Sequence, residues 1–455
     1  MSMIKKYCLR FLKAGVNGCI QGCATECARS GNELEPPPIP TEFFTSLNPP
    51  AHEIEPKTEF LFSGYIGRVD TGSTTMERYC ALGNKFIRIK VIDAQEHKLN
   101  TDLNYSLMDL ASLSSVIIDK TENEYIEYCK LLTYIRIRKM ENRRVLKGDY
   151  TLIAKFIEQL GETHKDRVSK EYPELVSKEP TVNIQKYKTL YHFFLKKLTP
   201  VDVFFNVFHY FLFLYEILGV VSVNNLNTIV CIVNVPDLEN AFWTGQYAVF
   251  GNGDSIFYPL TSIDVIGHEM SHGLVDGITG LRYRGHSGAL NESFADVFGA
   301  MFEAYMYNKF IHEPHTDLYG NSDWFIGEDI IKSGETRNLR NMKDPYLSYN
   351  PQPKEFGGLY YVEPSSSYDY GGVHINSGII NHCFYLIAES TDANTALFLF
   401  FMCMCRLSET STFSDFSKQL IQCAVDSDKY NVDIIKSALL QVKLYKEKKR
   451  PCGVF

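Results

Sequence analysis

The chain has 455 residues, 45% of them apolar, and a net charge of −8. That length supports two or three domains around a sizeable core. An acidic balance with no basic block excludes a nucleic-acid binder and fits a self-repelling surface.

In chain order, the first 60 residues lead through a proline-rich run, PPPIP, and read as a linker or pro-segment. Their start, MSMIKKYCLRFLKAG, is basic, but Arg10 and Lys13 interrupt any apolar stretch, which makes a poor signal peptide. Strand patterns follow in FLFSGYIGRVD and in KFIRIKVIDAQ, where apolar and basic residues alternate. Residues 106–195 turn charged and helical in pattern, as an inserted subdomain would. Residues 203–222, VFFNVFHYFLFLYEILGVVS, have the length of a membrane span, but Asn206, His209 and Glu216 point to a buried helix instead. TIVCIVNV (228–235) reads as a buried strand, and AFWTGQYAVFGNGDSIFYPL as strands joined by a Gly/Asn/Asp turn. From Ser262 the period becomes helical, with helices expected at 262–277, 288–309, 374–390, 394–407, 413–426 and 432–445. The layout is α+β and two-lobed: a β-rich lobe over 61–266 carrying the charged insert, then an α-helical lobe over 267–455.

Twelve cysteines are scattered, and neither Cys19-Cys23-Cys27 nor Cys403-Cys405 has zinc-knuckle spacing. They fit free thiols in a reducing compartment, with disulfides or lipidated N-terminal thiols as the alternatives.

The chemistry concentrates in IDVIGHEMSHGLVDG. On a helix His268 and His272, four apart, share one face and can reach one cation, while Glu269 lies about 100° around. Ile266, Met270 and Leu274 form a separate stripe toward a core. Downstream, GALNESFADVFGAMFEAY spaces Glu292 and Asp296 in the same way on a second helix whose Phe294, Val297, Phe298, Met301 and Phe302 face a core. Two carboxylates aimed at a core need a cation or donors. Glu292 can be a third ligand, and Asp296 and Asn291 can hold the other ring nitrogen of a liganding histidine. Three protein ligands leave a fourth position open, the pattern of a catalytic zinc.

With nineteen residues (273–291) between His272 and Glu292, the sequence resembles the thermolysin family of zinc metalloproteases. Further segments match in order: NAFW (240–243) upstream, and RNMKDP (340–345) and YDYGGVHINSGI (368–379) downstream. The resemblance runs from about residue 86 to 450, skipping the insert, and PPPIP alone suggests the protealysin-like branch. It implies a two-lobed fold with zinc between the lobes, bound by His268, His272 and Glu292. Glu269 would be the general base, Tyr283 and His374 oxyanion donors, and Asp369 the residue orienting His374. Asn240 and the Ala241 backbone would hold the peptide as an added strand, and Arg340 would bind a substrate carbonyl. Phe257, Leu260, Val265 and Leu339 would line an apolar pocket for a bulky residue after the cleaved bond. Asp264, Glu303, Asn321, Asp323 and Glu328 fall where the family binds calcium, although Phe325 replaces one family acid. The expected activity is endopeptidase action on peptides or proteins. A zinc aminopeptidase, whose gap would be eighteen residues, and an inactive zinc-holding binding protein are the alternatives. Kinship implies secretion as a precursor, while the poor signal sequence and the free-looking thiols allow a cytoplasmic location or exit by another route.

Overall fold

A computed structural model describes parts of residues 74–118 and 199–223, and residues 228–446 apart from 311–321, 333–337 and 428–429. The 1–60 segment, FLFSGYIGRVD, nearly all of the charged stretch, Asn321 and the first cysteine group lie outside the described residues.

The alternating segment forms β3 (Lys85–Asp93), second from one edge of a five-stranded mixed sheet. Its order is β2 (Glu77–Leu82), β3, β5 (Thr228–Val235), β7 (Ala248–Gly251) and β6 (Ala241–Trp243). The β3–β5 and β5–β7 pairs are parallel; the two outer pairs are antiparallel. A short pair, β1 (Thr74–Thr75) with β4 (Ile117–Ile118), lies apart. β5 is a continuous apolar run because both sheet faces are covered. Ile229, Cys231 and Val233 enter the main core, and Val230, Ile232 and Val235 a smaller one on the other face. Lys90 is buried too, so the basic positions of β3 do not mark a solvent face.

The apolar segment is helical over 202–213 (α1) and ends in a π-turn, Leu214–Leu218, capped by left-handed Gly219. It is buried in protein. The Tyr210 hydroxyl meets the Ser271 hydroxyl at 2.6 Å, and Asn206 donates to Asp202. Glu216 accepts from the Tyr305 hydroxyl at 2.7 Å. No described helix is long and apolar enough to cross a membrane.

β6 and β7 are joined by Thr244–Tyr247, where the Thr244 hydroxyl donates to the Tyr247 carbonyl, not by the expected Gly/Asn/Asp turn. That later stretch leaves the sheet as a loop, because Gly253 sits at φ +64° and any side chain there would strike the backbone of Phe257 and Tyr258.

Beyond Ser262 come α2 (Ile263–Ile278), α3 (Gly285–Phe310), α4 (Asp369–Ser390), α5 (Ala393–Met404), α6 (Phe413–Asp426) and α7 (Val432–Gln441). A two-residue pair, β8 (Phe325–Ile326) with β9 (Arg340–Asn341), sits among them. The α+β reading holds, with helix limits shifted by a few residues. The apolar stripes of α2 and α3 are buried as expected. These two helices touch backbone to backbone. A Cβ on Gly299 would lie 2.6 Å from the Asp264 carbonyl oxygen, and one on Gly267 would lie 2.9 Å from the Gly299 Cα.

Candidate metal centre

This close crossing brings Glu292 to the histidines. One ligand atom each from His268, His272 and Glu292 lie within 4.8 Å of one another. The two Nε2 atoms are 3.0 Å apart, and Glu292 oxygens lie 3.5 Å from that of His268 and 3.4 Å from that of His272. The far nitrogens are taken. His268 Nδ1 donates to Asp296 at 2.8 Å and His272 Nδ1 to Asn291 Oδ1 at 2.7 Å. A neutral imidazole donating through Nδ1 carries a lone pair on Nε2, so two lone pairs and a carboxylate face one point. Glu292 is fully buried and its Oε2 accepts no hydrogen bond. Such a donor set is unfavourable without a shared cation, and two imidazoles with one carboxylate suit zinc.

The surrounding charges act on the same point. Burial alone would raise the Glu292 carboxyl, but His374, His272, His268 and Arg340 outweigh it and hold it well below the usual range. Glu269, on the adjoining face of α2, is 5% exposed with Oε2 unpartnered. Burial lifts it to about 7 despite the opposing pull of His268. Asp296 lies at the base. Beyond His268 it accepts from Arg340 Nε at 2.9 Å and from Asn381 Nδ2 at 2.8 Å. Burial opposes its ionisation, but Arg340 and His268 keep it charged.

On the open side, the Tyr283 hydroxyl donates to Glu292 and sits 2.9 Å from His374 Nε2. Burial and then Glu292 raise its pKa, so it remains a donor. His374 Nδ1 meets Asp369 Oδ1 at 2.6 Å, while Asp369 Oδ2 accepts from the His374 backbone at 2.8 Å and the Ile375 backbone at 3.1 Å. Partial burial works against charging His374, but Glu292 and Asp369 raise it to about 9.

Ala241 begins β6, the outermost strand of the sheet, and Asn240 beside it is exposed. Leu260 and Val265 are buried, with Phe257 and Leu339 packed against the core. Glu303, Asp323 and Glu328 gather within 4.8 Å at a second point. Asp264 belongs to the same neighbourhood, since its charge acts on Glu328 and its Oδ2 accepts from the Gly327 amide. Neither oxygen of Glu328 accepts a hydrogen bond, and burial followed by Asp323, Glu303 and Asp264 pushes its pKa well up. An all-oxygen set of this kind suits calcium.

Sequence reasoning missed Asn381, which lies two helical turns after His374 on the same face of α4, a spacing that could have revealed it. It also missed the Gly267–Gly299 contact, and it missed Tyr370, whose ring lies against Tyr283 with centroids 6.1 Å apart.

Two crossed helices presenting two histidines and a glutamate to one point, beside a buried carboxylate with one unpartnered oxygen, define a three-ligand metal centre with one open side, the arrangement of a catalytic metalloprotein. The family profile described as thermolysin metallopeptidase, catalytic domain, matches residues 139–276, and that described as thermolysin metallopeptidase, alpha-helical domain, matches residues 279–444. The chain belongs to the thermolysin metallopeptidase family. The first match opens inside the charged stretch. An extracellular metalloprotease of Pectobacterium carotovorum subsp. carotovorum is 35% identical over 218 residues, 44% of this chain and 59% of that protein. Thermolysin of Alicyclobacillus acidocaldarius subsp. acidocaldarius is 35% identical over 46% of this chain and 38% of that protein. A zinc metalloproteinase of Legionella pneumophila is 33% identical over 45% and 35%. The chain therefore spans less than two thirds of the length of these relatives. A solved precursor of protealysin from Serratia proteamaculans is 29% identical, covering 53% of this chain and 77% of that one at a TM-score of 0.47.

Proposed function

We propose that the chain is a zinc-dependent endopeptidase. The observation that carries this reading is the pair of Nε2 atoms 3.0 Å apart, closed by buried Glu292, with buried Glu269 beside them raised to about 7. Zinc held by His268, His272 and Glu292 would acidify water and polarise a peptide carbonyl. Glu269, with a pKa near the working range, takes the proton from the attacking water and returns it to the leaving amine. The Tyr283 hydroxyl and His374 Nε2 turn from Glu292 to the oxygen that becomes an oxyanion. Asp369 keeps His374 oriented and charged. Asn240 and the outer edge of β6 at Ala241 take the peptide as an added strand, and Arg340, braced on Asp296, offers its remaining N–H groups to a substrate carbonyl. Phe257, Leu260, Val265 and Leu339 favour a bulky apolar residue after the cleaved bond.

The second cluster is read as a structural calcium site built by Asp264, Glu303, Asp323 and Glu328, with Asn321 as a further ligand from the resemblance. The lobes divide near 266, with 106–195 as an insert and 1–60 as a linker or pro-segment. One relative is named as extracellular, and on that kinship the chain works outside the cell; the kinship lends nothing to a cytoplasmic site.

Digestion of a denatured protein, with cut sites mapped by mass spectrometry and zinc counted in parallel, tests the reading. Internal cuts that vanish on chelation are expected. Glu269→Gln should retain zinc and lose about 10²–10⁴-fold in kcat/KM. N-terminal trimming alone would indicate the aminopeptidase, and zinc binding without any cleavage a binding protein.

A further inference from the structure

Residues Asp369 to Gly372 form four successive left-handed positions, at φ +49°, +51°, +87° and +79°. Three of them have a reason to be there. A Cβ on Gly371 would lie 2.6 Å from the Pro364 carbonyl oxygen, and one on Gly372 2.6 Å from the Val362 Cβ. Asp369 is a residue type that tolerates this region, and its carboxylate binds the His374 ring and two backbone amides. Tyr370 has no such reason. Its backbone (φ +51°, ψ +33°) suits glycine or asparagine, and its large ring is 61% exposed, so burial rewards it little. A strained aromatic residue in water is a functional signal when it borders a site. Tyr370 does so. Its ring packs edge-on at 62° against Tyr283, whose hydroxyl reaches Glu292 and His374.

We propose that Tyr370 determines specificity: its ring, propped on Tyr283, receives an aromatic or long aliphatic side chain of the bound peptide within two residues of the cleaved bond. This deepens the endopeptidase reading and rests on it. The contact is separate from the pocket read at Phe257, Leu260, Val265 and Leu339, which are buried in the main core or packed against it, whereas the Tyr370 ring is exposed. The turn fixes the backbone rigidly through two crowded glycines, so the ring is offered at little entropic cost. Covering its exposed face withdraws apolar surface from water, which an alanine side chain on the peptide cannot do.

The test compares the zinc-loaded wild type with Tyr370→Asn, which relieves the backbone and removes the ring, and Tyr370→Phe, which keeps it. A peptide series carries Phe, Leu or Ala at each of the four positions flanking one cut. Cleavage gives kcat/KM. Anisotropy of the same labelled peptides on Glu269→Gln, with and without Tyr370→Asn, gives binding without turnover. Tyr370→Asn is expected to melt no lower than wild type. It should lose roughly three- to tenfold in both readouts for Phe or Leu peptides at one position. Ala peptides and the pocket preference should be unaffected, and Tyr370→Phe should match wild type. An active wild type whose preferences survive Tyr370→Asn, or a uniform loss across all peptides, overturns this assignment alone. A wild type that neither cuts nor binds any peptide overturns the endopeptidase reading and this assignment with it.

Discussion

Gly299→Ala tests whether the metal centre depends on the approach of α2 to α3. The added methyl would lie 2.6 Å from the Asp264 carbonyl oxygen and 3.1 Å from the His268 backbone nitrogen. That is about 0.8 Å short of ordinary contact. The obstacle is helix backbone, so the helices must part or slide. Metal–ligand distances tolerate only about 0.2 Å, and the displaced carbonyl lies one turn before His268. Overpacking costs about 1–3 kcal/mol, whereas replacing glycine by alanine within a helix returns about 1 kcal/mol. Stability should therefore fall modestly, by about 0–2 kcal/mol. Zinc affinity should fall further, by about ten- to a hundredfold, the usual effect of disturbing the groups that aim a ligand. Competition against a chromophoric chelator measures the affinity, and thermal melts in EDTA measure the metal-free fold. Zinc affinity within twofold of wild type, at an unchanged metal-free melting temperature, would refute the claim that this contact sets the ligand geometry.

Calcium should raise the melting temperature, since a ligand at a hundred times its Kd stabilises by about 2.7 kcal/mol. Glu328→Gln should abolish that response while leaving bound zinc unchanged; a calcium-dependent melt in the variant would count against the site. His286 supplies a pH dependence. Stacked on Phe413 at 4.3 Å and bonded to the Tyr361 hydroxyl, it has its pKa lowered by burial, with Glu363 opposing. A depressed histidine contributes stability that is full above its ordinary 6.5 and is lost as pH falls through the lowered folded value. Denaturant melts from pH 7.5 to 5 should show that loss, and His286→Phe, which keeps the stack, should flatten it.

The sequence makes the metal centre legible because helical periodicity ties spacing to direction. Residues four apart on α2 and on α3 must share a face, so spacing alone orients the histidines and the Glu292–Asp296 pair. The same logic found the stripes that bury both helices and the apolar run of β5. Periodicity says nothing about how near two helices come. That distance is set by Gly267 and Gly299, which look like poor helix formers until their lack of a side chain is seen to permit the crossing. The loop after β7 differs from its reading for a related reason: GNGD has the composition of a turn between strands, whereas the positive φ of Gly253 serves a sharp exit from the sheet. Tyr370 was opaque altogether. A tyrosine beside two glycines reads as an ordinary turn residue, and the cost of its left-handed backbone exists only in the folded turn. Where local preference and observed conformation disagree and no packing repays the difference, the fold itself does not account for the residue. What the sequence concealed and what the bound substrate requires therefore meet at the same turn, one residue after the carboxylate that aims His374.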